Sequence, residues 1–384
     1  MVSTRFSFFS AKQLRCCFMP NHAESPGRAA QLVEVSRGPI IESIHRGHLA
    51  AVDAAGDIVA ELGSPEQVTF FRSSSKAFQA LPVIISGAAD AFGFTDQEIA
   101  VACGSHSGEP MHVQTVQGML EKIGLDASAL KCGVHEPFSV EVAHRLIRNG
   151  QEPSVLQNNC SGKHAAMLAF AKHIGASTAD YDEWASPVQQ AIAKIVAQFS
   201  DVSVTDLKIG IDGCGVPVFG LPVRAMALAY ARLVSPGERF DAILRQACRR
   251  IVNAIIAFPE MIGGSKDRLD TELIRAGKGR LISKIGAEGV YAVGVLPCRD
   301  WPKGFGLALK IEDGDDRRAR PPAVIDALRQ LNILSEDDLK AVSAYSPTVI
   351  TNRRGERVGE ARAAFSLNIN RPKIAYQEDE YREF

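Results

Sequence analysis

The sequence predicts a mixed fold of the α/β (α+β) kind, an antiparallel sheet flanked by helices with a helix-rich lobe in the middle of the chain. Three observations predict it. Strand-like runs joined by a short turn occur early, at His48–Asp53 and Ile58–Leu62. Helical spacing of apolar residues dominates the centre, and strand chemistry returns at Tyr291–Leu296 and Gly306–Ile311.

Each element has its own reason. Residues 1–30 lack a clear period and carry Pro20, Asn21, Ser25, Pro26 and Gly27. They read as a flexible leader, or as an upstream start ahead of Met19, and residues 31–384 as a single domain with the helical lobe in its middle. Leu32–Ser36 and Ile40–Ile44 are short apolar runs, and Ala54-Ala55-Gly56-Asp57 is the turn of a hairpin. Val68–Phe71 continues as strand, after which Lys76–Gly87 places Phe78, Leu81 and Ile85 at helical spacing. Ile99–Cys103 reads as a strand-like run ending at Gly104-Ser105-His106-Ser107-Gly108, followed by a helix with Val113, Val116, Met119, Leu120 and Ile123 on one face. Val140–Ile147, Ala165–Ile174, Val188–Phe199, Leu221–Leu233 and Phe240–Phe258 are further helices, with a strand at Lys208–Ile211. A helix at Pro322–Leu331 and a hairpin around Arg354-Gly355-Glu356 close the chain. No internal repeat or heptad seam is present, which excludes a solenoid and a coiled coil.

Composition narrows the function classes. The chain has 384 residues, 46% of them hydrophobic and 23% charged, and a formal net charge of −1. That balance provides no field for nucleic acid or an anionic membrane, and a small neutral or zwitterionic ligand fits better. No run is long enough to cross a bilayer, and Lys12, Gln13 and Arg15 interrupt the N-terminal apolar patch that a signal peptide would need. Eight cysteines without a C-x-x-C pair suit reduced thiols, so a cytoplasmic location is expected.

The chemistry-bearing residues gather where the chain turns into a helix. Ser73 stands three residues before Lys76, a spacing that puts both on one helix face. A neutral, desolvated Lys76 could then take the Ser73 proton; alternatively Ser73 is a helix N-cap and Lys76 a solvated residue of the first turn. Acyl-transfer enzymes of the penicillin-binding and serine β-lactamase class carry Ser-x-x-Lys, then a second serine motif, then Lys-x-Gly. This chain keeps that order with Ser105-His106-Ser107 and Lys284-Ile285-Gly286, although Ile285 stands where that class has Ser or Thr. Asn158-Asn159-Cys160-Ser161-Gly162-Lys163-His164 fails as a phosphate loop, because Gln157 replaces the first glycine and His164 the Ser or Thr. It suggests instead hydrogen-bonding groups, a helix N-terminus facing a carboxylate, a metal site, or a buried thiol with polar caps. Asp212-Gly213 and Asp270-Thr271-Glu272 are either turn and cap residues or anchors for an ammonium group.

Together, Arg72-Ser73-x-x-Lys76, Ser105-His106-Ser107, Asn159-Cys160-Ser161-Gly162-Lys163-His164, Asp212-Gly213-Cys214, Lys284-x-Gly286-Ala287 and Lys310-Ile311-Glu312-Asp313-Gly314 resemble the rhizobial-type L-asparaginase family, also called asparaginase II. The resemblance runs from about Val33 to the C-terminal hairpin. It implies a fold similar to serine β-lactamases and glutaminases, a homodimer, and hydrolysis of L-asparagine to L-aspartate and ammonia. It implies Ser73 as nucleophile paired with Lys76, and Ser105 with Lys284 as a second Ser-Lys tandem. Asp212 is expected to hold the substrate ammonium, Arg72 its carboxylate or the loop, and His164 to support them. It also implies a zinc ion held by two cysteines and a lysine. Two of these match Cys160 and Lys163; counting back from Lys284, the second cysteine falls at Asp270, whose carboxylate is an acceptable but harder ligand. The alternatives are a glutaminase or β-lactam-type acyl hydrolase on the same scaffold, and a non-catalytic amino-acid or metal-binding module.

Overall fold

The computed structural model describes residues 27–371, so the expected leader falls, apart from its last four residues, outside the described residues. Among the described residues twelve strands run β1 (Ala30–Arg37), β2 (Ile40–Val52), β3 (Ile58–Leu62), β4 (Val68–Phe70), β5 (Lys208–Ile211), β6 (Pro217–Pro222), β7 (Leu281–Gly286), β8 (Val290–Val295), β9 (Phe305–Ile311), β10 (Thr348–Thr351), β11 (Arg357–Ala363) and β12 (Asn368–Ile369). Nine form one antiparallel sheet along the path β10-β11-β1-β2-β9-β8-β7, with β3 on β2 and β12 on β3; β4-β6-β5 make a small second sheet. The fold is thus mixed α/β with a large antiparallel sheet, as the sequence predicts. The runs expected as two strands at Ile40–Ile44 and His48–Asp53 are one 13-residue strand, β2. It pairs with β1 along its first half, β3 along its second half, and β9 on the opposite edge.

The sheet separates two apolar cores, and strand alternation decides which residue serves which. Leu49 and Ala51 of β2, Tyr291 and Val293 of β8, and Leu307 and Leu309 of β9 pack towards the helix Arg320–Gln330. Ala50 and Val52, Ala292, and Ala308 belong to the core shared with the helical lobe. The lobe side carries small residues because the helix Val223–Val234 lies directly against it. A Cβ on Gly306 would stand 1.8 Å from the Ala227 carbonyl oxygen, and one on Gly294 2.5 Å from Val234. Tyr230 on this helix is fully buried and its hydroxyl donates to the Ser74 carbonyl oxygen at 2.8 Å. The sheet-facing helix therefore braces the turn that carries Ser73.

Most of the lobe helices fall where apolar spacing predicts, including Lys76–Ile85, Pro110–Lys122, Val140–Arg148, Pro187–Ser200 and Ala242–Ala257. Ile99–Cys103 differs. It is the end of a helix, Asp96–Cys103, started by a capping box between Thr95 and Glu98. Its compact apolar run is a buried helix rather than a strand, so Ser105 sits at a helix-to-helix corner. Similarly, the third of the chemistry-bearing corners, at Asn158–His164 after those at Ser73 and Ser105, follows a short 3-10 turn, Val155–Gln157, and its helix already begins at Ser161. Pro217–Pro222, expected as loop and helix start, is the central strand of the small sheet. Among the described residues no helix is long and apolar enough to cross a membrane.

Candidate active site

Three successive serines form the turn at 72–75, and their hydroxyls are not equivalent. Ser74 Oγ donates to the Phe71 carbonyl oxygen at 2.9 Å and Ser75 Oγ to that of Arg72 at 2.8 Å. Both are tied into the turn. Ser73 is half-buried, and its hydroxyl makes no hydrogen bond among the described residues. Arg72 precedes it with φ of 51°, a left-handed conformation unusual for a side chain of this size. The strand β7 closes over the same turn: a Cβ on Gly286 would lie 2.7 Å from Ser74 Oγ and 3.1 Å from the Phe71 carbonyl oxygen. Glycine is required there by contact with the turn that carries Ser73, which gives the Lys-x-Gly motif a physical meaning.

Lys76 is fully buried, and its Nζ donates to the Gly104 carbonyl oxygen at 2.6 Å, Ser105 Oγ at 2.9 Å and the Asn159 carbonyl oxygen at 3.0 Å. Those three bonds join the first corner to the second and third. They also depart from the expected pairing, since Lys76 contacts Ser105 and forms no hydrogen bond with Ser73. A 3-10 turn at 72–75 still leaves residues 73 and 76 on one face, but the Lys76 amine is drawn away to the acceptors of Gly104, Ser105 and Asn159. Burial lowers the Lys76 pKa; Cys160 opposes this and Lys163 reinforces it. Lys284, on β7, donates to the Ile285 carbonyl oxygen at 3.1 Å and lies 3.7 Å from Asp270 Oδ2. Burial brings its pKa down to about 7, with Asp270 opposing and Lys76 and Arg268 adding to the fall. The expected Ser105–Lys284 bond is likewise not formed; Lys76 occupies that role towards Ser105.

Arg72 and Asp212 come together as an ion pair, Arg72 Nε to Asp212 Oδ1 at 2.9 Å. Asp212 resists burial because Lys163, Arg72 and the Gly213 N–H outweigh it, leaving its pKa below the ordinary carboxylate value. A guanidinium beside Ser73 paired with a carboxylate complements the carboxylate and ammonium of an α-amino acid. His164 lies elsewhere in the lobe: its Nδ1 is 2.7 Å from the Tyr181 hydroxyl, and burial followed by Lys163 and Lys76 keeps it neutral. The Tyr181 oxygen also accepts the Lys131 N–H at 2.9 Å, and its contact with Nδ1 leaves Nε2 as the ring's other polar atom. That Nε2 is buried without a partner among the described residues.

The expected metal ligands divide. Lys163 Nζ is 2.9 Å from the sulfur of Cys214, and the Cys214 thiol is hydrogen bonded to Cys160. This bond, with Lys76 and Lys163, draws Cys160 well below the ordinary thiol range against the effect of burial, while the same bond and burial push Cys214 up. Burial acts against the charge of Lys163, but Cys214, Cys160 and Asp212 outweigh it and raise its pKa. Asp270 is the correction. Its Oδ1 accepts the Ile285 N–H at 2.8 Å, and its Oδ2 faces Lys284 at 3.7 Å and Arg268 at 3.9 Å. The carboxylate is committed to β7 and its lysine, and the donor beside Lys163 is Cys214. Among the described residues no three His, Cys, Asp or Glu side chains are grouped for a metal, but two sulfurs and an amine are the donor types zinc accepts. Cys214 had a signal in the sequence, two residues after Asp212. Arg268 and His135, whose Nε2 accepts the Asn159 N–H at 3.0 Å, had none. Surface cavities of about 470, 470 and 290 Å³ are lined by other residues, and none is lined by Ser73.

A family model described as L-asparaginase II matches residues 33–363. No curated protein gives a significant match. Distant likenesses among solved structures include a probable glutaminase from Bacillus subtilis complexed with 6-diazo-5-oxo-L-norleucine, at 10% identity over 75% of this chain and 85% of that one, with a TM-score of 0.36. A β-lactamase from Burkholderia ambifaria is similar at 14% identity over 74% of this chain and 92% of its own, also with a TM-score of 0.36.

Proposed function

Because the chain belongs to the L-asparaginase II family, an amidohydrolase family, we propose that it hydrolyses L-asparagine to L-aspartate and ammonia with Ser73 as nucleophile. The observation that carries this reading is the difference among the three serines: Ser74 and Ser75 are tied to the backbone, while the half-buried Ser73 hydroxyl, just after the left-handed Arg72, has no partner among the described residues. Arg72 and Asp212 beside it support an amino acid as the substrate. The Ser73 oxygen attacks the side-chain amide carbon, and its proton passes to a neutral Lys76. Ser105, hydrogen bonded to Lys76 Nζ at 2.9 Å, relays a proton to the departing nitrogen, which leaves as ammonia. Water then attacks the ester on Ser73; Lys284, whose pKa is brought down to about 7, takes the proton of that water and returns it to the departing Ser73 oxygen, which releases aspartate and restores both groups.

Cys160, Lys163 and Cys214 would hold the zinc ion that the family resemblance implies. When bound, such an ion supplies Lewis acidity and fixes the ends of the two chain segments that carry Asp212 and Asn159. Lys163 must lose its proton to bind it, so affinity should fall as pH falls. The reading also includes a homodimer in the cytoplasm. Ammonia release from asparagine and from glutamine, compared with cleavage of a chromogenic β-lactam, tests the activity. Loss of turnover in Ser73→Ala with an unchanged melting temperature is expected; appreciable turnover in that variant would overturn the nucleophile.

A further inference from the structure

The segment 261–270 touches both halves of the second Ser-Lys pair. Ser105 is gripped at each end of its peptide unit: its N–H donates to the Ile262 carbonyl oxygen at 2.8 Å, and its carbonyl oxygen accepts Arg268 Nη2 at 2.7 Å. Arg268 Nη1 donates to Ser107 Oγ at 2.8 Å and back to the Gly263 carbonyl oxygen at 2.9 Å. The approach is close enough to exclude side chains. A Cβ on Gly104 would lie 2.2 Å from the Met261 carbonyl oxygen, and one on Gly264 2.6 Å from Ser107 Oγ. Two residues further on, Asp270 holds the other half. Its side chain is 1% exposed, Oδ1 receives the N–H of Ile285 next to Lys284, and Oδ2 has no hydrogen-bond partner among the described residues. A buried carboxylate oxygen without a partner is costly and needs a reason. Here it stands between two cations, 3.7 Å from Lys284 Nζ and 3.9 Å from Arg268 Nη2.

We propose that Arg268 and Asp270 act as one positioning device, Arg268 fixing Ser105 through its carbonyl and Asp270 fixing Lys284 through β7 and through a charged acceptor held open for its amine. This rests on the amidohydrolase reading above. Neither side chain takes part in the chemistry. Guanidinium and carboxylate sit at the start of the helix Leu269–Gly277, so one rigid element sets the separation of serine and lysine. The charge matters as well as the shape, because the carboxylate balances the buried guanidinium and faces the amine of Lys284 through both of its protonation states.

Asp270→Asn keeps the volume and an acceptor for the Ile285 N–H but removes the charge. Steady-state ammonia release and thermal melting are measured for wild type, Asp270→Asn, Arg268→Lys and the double variant. The expected result is a fall in kcat of about tenfold or more for each single variant, KM within about twofold of wild type, and a melting temperature within about 3 °C. The double variant should lose little more than the worse single variant, because one device is broken once. Asp270→Asn with kcat within about twofold of wild type overturns the proposal. If Asp270→Asn does not fold, Arg268→Lys carries the test, and unchanged kcat there overturns it equally. An inactive wild type overturns the amidohydrolase reading and this inference with it, whereas an active wild type with active variants overturns this inference alone.

Discussion

Replacing Lys76 with methionine separates what this side chain does for the reaction from what it does for the fold. The methionine keeps length and burial but removes the amine. Two backbone acceptors, the Gly104 and Asn159 carbonyl oxygens at 2.6 and 3.0 Å from Nζ, lose their donor, as does Ser105 Oγ at 2.9 Å. Each orphaned buried acceptor costs about 1–3 kcal/mol. Against this stands the desolvation of an amine that is 0% exposed, which costs several kcal/mol per ion when charged and less when neutral. The two effects have opposite sign and similar size, so Lys76→Met should change unfolding free energy by less than about 2 kcal/mol. The catalytic effect has nothing to offset it. Loss of the base should lower kcat by about 10²–10⁴-fold. Denaturant unfolding and ammonia release on the same preparation check both numbers. A variant with kcat within about tenfold of wild type would refute the assignment of Lys76 as the base, and a variant that unfolds with full loss of cooperativity would refute the energy balance.

Lys284, brought down to about 7, must be neutral to act as a base, so kcat/KM should fall tenfold per pH unit below that value and level off above it; a flat profile from pH 5 to 8 would remove Lys284 from proton transfer. Gly306→Ala places a methyl group 1.8 Å from the Ala227 carbonyl oxygen, so the helix Val223–Val234 must retreat from the sheet, at a cost of about 1–3 kcal/mol measured by denaturant unfolding. Elemental analysis of protein purified without chelator should find zinc lost in Cys214→Ala and retained in Asp270→Ala; the reverse would restore Asp270 as a ligand.

How much of this was legible in the sequence depended on how local the signal was. Strand alternation and helical spacing are properties of a few neighbouring residues, and the hairpin at Ala54–Asp57 forms where it reads, with Asp53 Oδ1 accepting the N–H groups of Ala55, Gly56 and Asp57. Ile99–Cys103 misled because five consecutive apolar residues have no period, and the capping box that identifies a helix lies upstream at Thr95 and Glu98. The residue types of the site were legible for the same local reason; the pairings were not. Ser73 and Lys76 are three residues apart in sequence, yet the lysine turns to Ser105, a contact 29 residues away that no spacing rule contains.

Asp270 and Cys214 show the limit most sharply. Counting back from Lys284 treats position along the chain as a guide to position in space, and it led to an aspartate two residues after Arg268. The fold uses a different rule. Strands β5 and β6 bring the Asp212–Cys214 turn against the start of the helix Ser161–His173, so the donor that meets Cys160 and Lys163 comes from the far side of the lobe. Asp270 is explained by what it touches: a backbone N–H beside Lys284, and Lys284 and Arg268 within 4 Å of an oxygen that bonds to neither. A carboxylate buried for a metal would gain nothing from Arg268 as a neighbour, since the guanidinium repels a cation at the same oxygen. A carboxylate buried to hold Lys284 needs that neighbour, because the charge of Arg268, which fixes Ser105, must be balanced from within the same segment.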